Sequence, residues 1–125
     1  RIKPAAWLGQ NRQKGALQMA REKFRTLTEQ MFYILLSLVT ECCGVDVMER
    51  VEKMTGGRVA VGPGTLYNLL ENFQEAEMIR ETKVEGRRRS YVITEQGRKV
   101  LSEEYGRLGR MREDYRKTFG EGDGE

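Results

Sequence analysis

The spacing of apolar residues changes at Ile79, and this change constrains the fold more than any other feature of the sequence. Before Ile79, apolar residues recur every three or four positions, which is the period of helices buried on one side. From Ile79 to Ile93 the residues alternate around Gly86, as in two short strands joined by a tight turn. Helical spacing returns from Glu95 to Phe119. The sequence therefore predicts a mostly α protein with a small β-hairpin.

Three helices are predicted before the hairpin. The first covers residues 28–39, with Thr28 as its N-cap, and its apolar residues surround nearly the whole circumference. The second covers residues 45–54 and ends before the glycine pair 56–57. The third covers residues 63–77, because proline is tolerated in a first helical turn.

Three further segments are assigned from local composition. Val59-Ala60-Val61 is a short piece that favours β structure, and residues 16–24 are expected to form a short helix. Cys42 and Cys43 are adjacent, so a disulfide between them would close a strained ring. They are interpreted as small apolar residues at a helix end, with a redox switch as the alternative.

Charge is unevenly distributed along the chain. Residues 1–25 contain seven basic residues and one acidic residue, whereas residues 26–79 contain eight acidic and three basic residues. Residues 80–91 contain five basic and two acidic residues, with the arginines at 87–89 in a row. The positive segments are therefore candidates for contact with a polyanion.

The domain layout is predicted from these patterns. We expect a basic N-terminal arm over residues 1–23, a main domain over residues 24–94, a C-terminal helix over residues 95–119 and a disordered acidic tail over residues 120–125.

The composition argues against several functional classes. The longest apolar run, Met31 to Val39, is too short to span a bilayer, and no signal-peptide pattern opens the chain. A cytoplasmic location with no membrane contact is therefore expected. The chain has no histidine, only two cysteines and no recognisable catalytic or phosphate-binding motif. We expect no metal, no cofactor and no catalytic residues, hence no enzyme.

The order helix, helix, short strand, helix, hairpin is that of a winged helix-turn-helix. A helix of this length fits the major groove of DNA, and a basic hairpin beside it can reach phosphates or a minor groove. Four stretches within residues 24–119 together resemble the PadR family of transcriptional regulators. They are LTEQMFYILLSL at 27–38, GPGTLY at 62–67, GRRRSY at 86–91 and TEQGR at 94–98.

The ordered fold motifs and the basic wing together predict a DNA-binding regulator. The resemblance implies a repressor that binds an inverted-repeat operator in double-stranded DNA. It places Thr65, Tyr67 and Asn68 against DNA, and Asn72 shares their polar face, where asparagine can read adenine. The alternatives are that Thr65 caps its helix and that Tyr67 packs this helix onto the wing.

Basic residues are expected at the phosphates. The candidates are Arg58 and the three wing arginines Arg87, Arg88 and Arg89. At least one wing arginine is expected to pair with Glu81 or Glu85 across the hairpin instead.

The last helix resembles that of the short branch of the family, in which it mediates dimerisation. Its apolar seam is expected to meet a second copy, and the alternative is that it folds back on its own domain. The seam residues are Leu101, Tyr105, Leu108, Met111, Tyr115 and Phe119. By resemblance, a small hydrophobic or aromatic effector would bind nearby. Met31, Phe32 and Tyr33 are candidates for that pocket, together with Tyr105 and Met111, although each is also interpretable as core.

Two positions depart from the family pattern. Gly44 is followed by Val45 where a tyrosine is usual, and Glu77 stands where a glycine usually precedes the wing. Without glycine, a left-handed helix end is costly, so the junction between helix and wing is expected to differ. The acidic residues of the third helix leave a second hypothesis open, a winged helix that binds protein instead of DNA.

Overall fold

The computed structural model describes Gly15, Leu17, Glu22 and residues 24–120. Most of the predicted N-terminal arm and all but Gly120 of the predicted tail lie outside the described residues. Within the helix predicted over residues 16–24, Leu17 and Glu22 are helical and Phe24 lies in a turn. No helix in the described part is both long enough and apolar enough to cross a membrane.

Four helices lie within residues 24–120, close to the predicted positions. They are α1 (Glu29–Ser37), α2 (Gly44–Thr55), α3 (Pro63–Glu75) and α4 (Glu95–Phe119). Helix α1 begins after Thr28, whose Oγ1 accepts a hydrogen bond from the Met31 amide at 3.2 Å. Helix α2 ends at Gly56, which adopts a left-handed φ of 61°. Local sequence signals therefore set these helix ends.

A three-stranded antiparallel sheet joins the wing to the rest of the domain. Its strands are β1 (Cys42–Cys43), β2 (Ile79–Glu85) and β3 (Arg88–Ile93), in the order β1-β3-β2. The β2–β3 pair is the predicted hairpin, and its register shifts between Glu81 and Lys83. Strand β1 pairs with β3 at Cys42–Tyr91 and Cys43–Ser90. The middle of β3 is therefore attached to the short strand that leads into α2.

The short strand was predicted at the wrong place. It lies at Cys42 and Cys43, whose backbones pair with β3, and not at residues 59–61. Val59 and Val61 are buried instead, so their branched side chains serve the core without a partner strand. Both cysteines are buried free thiols, and burial raises the pKa of the Cys42 thiol, which favours its unreactive form.

The junction between α3 and the wing keeps a left-handed turn despite its glutamate. Glu77 has a φ of 59°. Its amide donates to the Gln74 carbonyl at 2.9 Å, and the Met78 amide donates to the Phe73 carbonyl at 2.8 Å. This is the Schellman pattern of a helix C-terminus. The expectation of a different junction is therefore wrong, because these hydrogen bonds hold the turn without glycine.

The core lies between the helices and the inner face of the sheet. Each large side chain removed from water there contributes about 1.5–3 kcal/mol. The largest of the fully buried side chains are Ile34, Leu35, Leu38, Val47, Val51, Leu66, Leu70, Phe73 and Met78.

Helix α4 is docked at its start and leaves the domain afterwards. The Thr94 hydroxyl donates to the Glu77 carbonyl at 2.6 Å and accepts from the Gly97 amide at 3.1 Å. Leu101 is 9% exposed and belongs to the core cluster of its own chain. Its assignment to a dimer seam is therefore corrected, because the first turns of α4 cover its own domain.

Candidate nucleic-acid interface

Helix α3 buries one face and exposes the other. The inward residues are Leu66, Leu69, Leu70 and Phe73. On the opposite face Thr65, Tyr67 and Asn68 are exposed, whereas Asn72 is half-buried. Because the described chain leaves this outer face open, the three exposed side chains are accessible to a partner.

Tyr67 combines exposure with packing. Its side chain is 46% exposed, while its Cε1 lies 3.3 Å from where a Cβ on Gly44 would stand. The Tyr91 ring approaches the same point at 3.6 Å. The bare backbone of Gly44 therefore makes room for Tyr67, which steadies α3 against the start of α2. Tyr67 therefore packs against the start of α2 and near Tyr91 of β3, as the packing alternative predicted. The outer edge of the Tyr67 ring remains exposed.

The N-terminus of α3 carries no side-chain cap. Gly62 is the N-cap, and no side chain accepts a hydrogen bond from the first turn within the described residues. Thr65 is the third helical residue, so the alternative that it caps the helix is wrong. Uncapped amides and the helix dipole make such a terminus favourable for an anion such as a phosphate.

The C-terminal half of α3 is acidic. Glu71 and Glu75 are exposed there, and Glu77 follows in the turn. Asn72 lies beside Glu71 and is half-buried. Because these carboxylates repel phosphate, the polar N-terminal half of α3 is the better placed part for nucleic acid.

The three wing arginines have different surroundings. Arg87 is exposed in the turn after Gly86, whose φ is 64°. Arg88 Nη2 lies 3.4 Å from a carboxylate oxygen of Asp46 in α2. Arg89 Nη1 lies 3.3 Å from a carboxylate oxygen of Glu81 across the hairpin. The predicted pairing of one wing arginine with Glu81 is therefore present, while the Asp46 contact was not anticipated.

Arg58 faces α1. Its guanidinium pairs with the carboxylate of Glu29, donates to the Tyr33 hydroxyl at 3.1 Å and lies 5.8 Å from the centre of the Tyr33 ring. The hydrogen bond and negative charge of Glu29 raise the pKa of Arg58 above its ordinary value. Arg58, which was predicted to contact phosphate, is therefore bound to helix α1 and lies apart from the three wing arginines.

Two cavities lie between α1 and α4. One of about 350 Å³ is lined by Leu27, Thr28, Glu29, Phe32, Tyr33, Arg58, Glu104 and Leu108. The other, of about 250 Å³, is lined by Phe32, Leu36, Val39, Arg98, Leu101, Ser102 and Tyr105. Of the predicted pocket residues, Phe32, Tyr33 and Tyr105 line a cavity. Met31 and Met111 line neither, since Met31 packs against the core and Met111 is exposed further along α4.

A buried carboxylate closes the larger cavity. Glu104 is 3% exposed and accepts hydrogen bonds from the Leu27 amide at 3.1 Å and from two nitrogens of Arg107 at 2.6 and 2.7 Å. The Arg107 hydrogen bonds are the main cause that lowers the pKa of Glu104. The three-residue spacing of Glu104 and Arg107 is the sequence signal that could have indicated this pair.

The outer part of α4 carries an exposed apolar face. The large apolar side chains on it are Tyr105, Leu108, Met111, Tyr115 and Phe119, between 43% and 73% exposed. The Tyr115 and Phe119 rings contact each other with centroids 4.7 Å apart. Five such residues on one helix form a larger apolar surface than scattered exposure produces.

The described residues contain no group of three or more histidine, cysteine or acidic side chains that could hold a metal ion.

Residues 34–103, more than half of the chain, match the transcriptional regulator PadR-like family. The chain belongs to this family. The match extends from α1 through α3 and the wing into α4, and this family consists of transcriptional regulators and not of enzymes.

Solved structures share the fold of this PadR-like chain. The PadR family transcriptional regulator from Eggerthella lenta DSM 2243 is similar with a TM-score of 0.61 and 16% identity, over 94% of this chain and 99% of that chain. A transcriptional regulator from Clostridium thermocellum has a TM-score of 0.62 and 17% identity, over 73% and 92%. The PcaV regulator from Streptomyces coelicolor, in complex with its natural ligand, has a TM-score of 0.59 and 18% identity, over 76% and 64%.

One curated relative of the PadR-like chain is an uncharacterized 37.1 kDa protein in transposon TN4556 from Streptomyces fradiae. It is 28% identical over 87 residues, which are 70% of this chain. The chain spans 25% of that protein's length and 64% of the PcaV chain. The PadR-like chain therefore combines a family match with the winged-helix fold of these solved structures.

Proposed function

We propose that this protein represses transcription in the cytoplasm by binding an inverted-repeat operator as a homodimer. The observation that carries the proposal is the exposed polar face of α3 beside a wing that bears three consecutive arginines. Helix α3 has 13 residues and is therefore about 20 Å long. Such a helix fits a major groove about 12 Å wide and projects its outward side chains toward base edges.

The residues of this surface suit different parts of a DNA duplex. Asn68 is exposed and can form the paired hydrogen bonds by which asparagine reads adenine. Thr65 and the uncapped amides of the first turn of α3 suit a phosphate. Arg87 and Arg88 suit the flanking backbone, because the wing extends beside α3. Arg58 contributes indirectly, since its contacts hold the loop before α3 against α1.

The homodimer is supported by the apolar face of α4. Exposure of its five large apolar side chains to water is costly. In a two-fold dimer, the same face of a second copy would pack against them. Two copies related by a two-fold axis would present two α3 helices to two half-sites. An inverted-repeat operator follows from that symmetry.

A small hydrophobic or aromatic effector is the proposed regulator of binding. The cavity lined by Phe32 and Tyr33 lies against α1 and α4 and includes Arg58, which precedes α3 in the chain. An occupant that displaced Arg58 from Glu29 would loosen the α2–α3 loop. Saturable fluorescence changes on titrating flat aromatic compounds would support this site, and no saturable response would contradict it.

A titration of duplex DNA tests the proposed function. Duplexes selected from a random pool are labelled, and their anisotropy is measured against protein concentration at salt concentrations from about 50 to about 300 mM. We expect sub-micromolar binding to an inverted repeat, with a logarithmic salt slope of about −0.9 for each phosphate contacted. Thr65→Ala with Asn68→Ala should remove the sequence preference, whereas Glu52→Gln on α2 serves as the control variant. Failure to enrich any repeat would contradict the proposal.

The acidic half of α3 favours one second candidate, a winged helix that binds a basic protein. Glu71 and Glu75 are exposed there and would attract such a partner. The substitutions Asn68→Ala and Arg87→Gln distinguish the two candidate functions. These substitutions should abolish operator binding, and an interaction module would keep its activity in cells.

A further inference from the structure

The charge of the wing is partly neutralised by the protein itself. Arg89 is paired with Glu81 of the neighbouring strand, whose side chain is 27% exposed. Arg88 is paired with Asp46, which belongs to a different element, the first turn of α2. Only Arg87 is placed at the tip of the hairpin. The three arginines therefore differ in what must be broken before they can contact a phosphate.

The contact between Arg88 and Asp46 is built by the sheet. Strand β1 leads directly into α2 and pairs with β3, so that Cys43 lies opposite Ser90. This pairing brings the start of α2 beside the first half of β3, which begins at Arg88. A polar cavity of about 260 Å³ lies beside the pair, and its charged lining residues are Glu41, Asp46, Arg50, Lys83, Glu85 and Arg88.

The pair remains open to exchange with another anion. The Arg88 and Asp46 side chains are 62% and 52% exposed, and 3.4 Å separates their closest charged atoms. An exposed ion pair of this kind is weak and screened by salt. A phosphate bound by a guanidinium forms shorter, charge-assisted hydrogen bonds. DNA can therefore take Arg88 from Asp46 without unfolding the wing.

We propose that Asp46 is an autoinhibitory counter-ion that occupies Arg88 in the free protein and must release it when the wing meets DNA. The inference rests on the proposed DNA-binding function. Asp46 lowers operator affinity because each binding event breaks its pair with Arg88. It also reduces the salt dependence, since the released carboxylate attracts a cation again while Arg88 displaces one from the phosphate.

The expected effects are modest and directional. Asp46→Asn keeps the size of the side chain and removes its charge. It should tighten operator binding about threefold, the scale of an exposed ion pair. The logarithmic salt slope should become steeper by up to about 0.9, one further phosphate contact. Arg88→Gln should weaken binding and make the slope shallower.

A double-mutant cycle tests the pairing itself. Operator affinity is measured for the full chain, Asp46→Asn, Arg88→Gln and the double variant, with the same selected duplex at several salt concentrations. The gain from Asp46→Asn should disappear in the Arg88→Gln background. Glu52→Gln, which removes one negative charge from an exposed site on the same helix, is the matched control and should change affinity less. Circular dichroism and thermal unfolding verify that each variant is folded.

The possible results separate the two proposals. An equal gain from Asp46→Asn with or without Arg88 would mean that Asp46 merely repels phosphate, and would overturn the inference alone. No gain in either background would do the same. If no variant binds any selected duplex, the proposed function fails and this inference fails with it.

Discussion

Glu77 is a single residue in a backbone conformation that suits glycine. Its φ of 59° brings the Cβ close to neighbouring backbone, which costs roughly 1–2 kcal/mol for a non-glycine residue. The cost is tolerated because the amides of Glu77 and Met78 donate hydrogen bonds to carbonyls in the last turn of α3. Glu77→Gly should therefore raise the free energy of unfolding by about 1 kcal/mol, after the extra entropy of glycine in the unfolded chain is included.

Urea unfolding of Glu77→Gly measures this effect as a higher midpoint with an unchanged slope. Glu77→Ala is the control, because it removes the side chain and keeps the Cβ in the left-handed region. Equal stabilisation by alanine would show that the carboxylate, and not the backbone, is the source of the cost.

Glu104 makes stability depend on pH. Its pKa is lowered by the hydrogen bonds from Arg107, so the folded protein binds its proton less readily than the unfolded chain. The stabilisation is complete above the unfolded pKa, near 4.5, and is lost as pH falls through the lower folded pKa. Glu104→Gln should cost about 2 kcal/mol at pH 7, the scale of hydrogen bonds to a charged group.

Unfolding free energies at pH 7 and at about pH 3 test this sign, on the linkage between protonation and stability. The difference between the original protein and Glu104→Gln should shrink as the pH falls. Glu103→Gln, a neighbouring exposed carboxylate on α4, is the control and should show a smaller change. A difference that stays constant between the two pH values would contradict the role given to Glu104.

At the scale of elements, the docking of α4 depends on one close backbone approach. A Cβ on Gly97 would lie 2.1 Å from the Met78 carbonyl oxygen and 2.7 Å from Ile93 Cγ1. Backbone cannot yield as a flexible side chain does, so Gly97→Ala should lower the free energy of unfolding by about 1–3 kcal/mol. Chemical denaturation measures the loss.

The same helix offers a matched glycine. A Cβ on Gly109 would meet nothing within 4 Å. Gly109→Ala should therefore raise stability by about 0.5–1 kcal/mol through helix propensity alone. If the two substitutions changed stability in the same direction, contact with Met78 could not be what requires glycine at Gly97.

The elements with regular periodicity were predictable, and those fixed by pairing were not. Helices α1 to α4 and the hairpin follow from apolar spacing, from Thr28 and Thr94 as caps, and from the turn at Gly86. Strand β1 has two residues, too few to show alternation, and exists because β3 offers it an edge. Val59 and Val61 favour β structure by composition but have no strand beside them among the described residues.

The candidate site divides in the same way. The outward positions of Thr65, Tyr67 and Asn68 follow from the helical period of α3 and were predictable. The contacts of Arg58 with α1 and of Arg88 with α2 join residues 29 and 42 positions apart. No local pattern encodes such pairs, because they depend on how the helices pack.

At the scale of the whole molecule, charge and apolar surface lie on different parts. The three consecutive arginines lie in the wing, whereas the apolar face of α4 lies beyond the docked first turns of that helix. Self-association through α4 would therefore leave both basic wings exposed. The two proposed activities, dimerisation and DNA binding, can for this reason be separated by substitution.

Tyr115 and Phe119 provide that separation, since their rings contact each other and lie far along α4 from the domain core. Replacing both with serine removes two apolar side chains per subunit, each worth about 1.5–3 kcal/mol when buried. We expect sedimentation at micromolar concentration to show a dimer for the original chain and a monomer for Tyr115→Ser with Phe119→Ser. Lys117→Ser, between them on the charged side of the helix, should remain dimeric.

The monomeric double variant should keep the thermal stability of the folded domain. Its affinity for an operator with two half-sites should fall at least about tenfold, because the second half-site is no longer bound within the same complex. A double variant that still sediments as a dimer would move the interface elsewhere on the molecule.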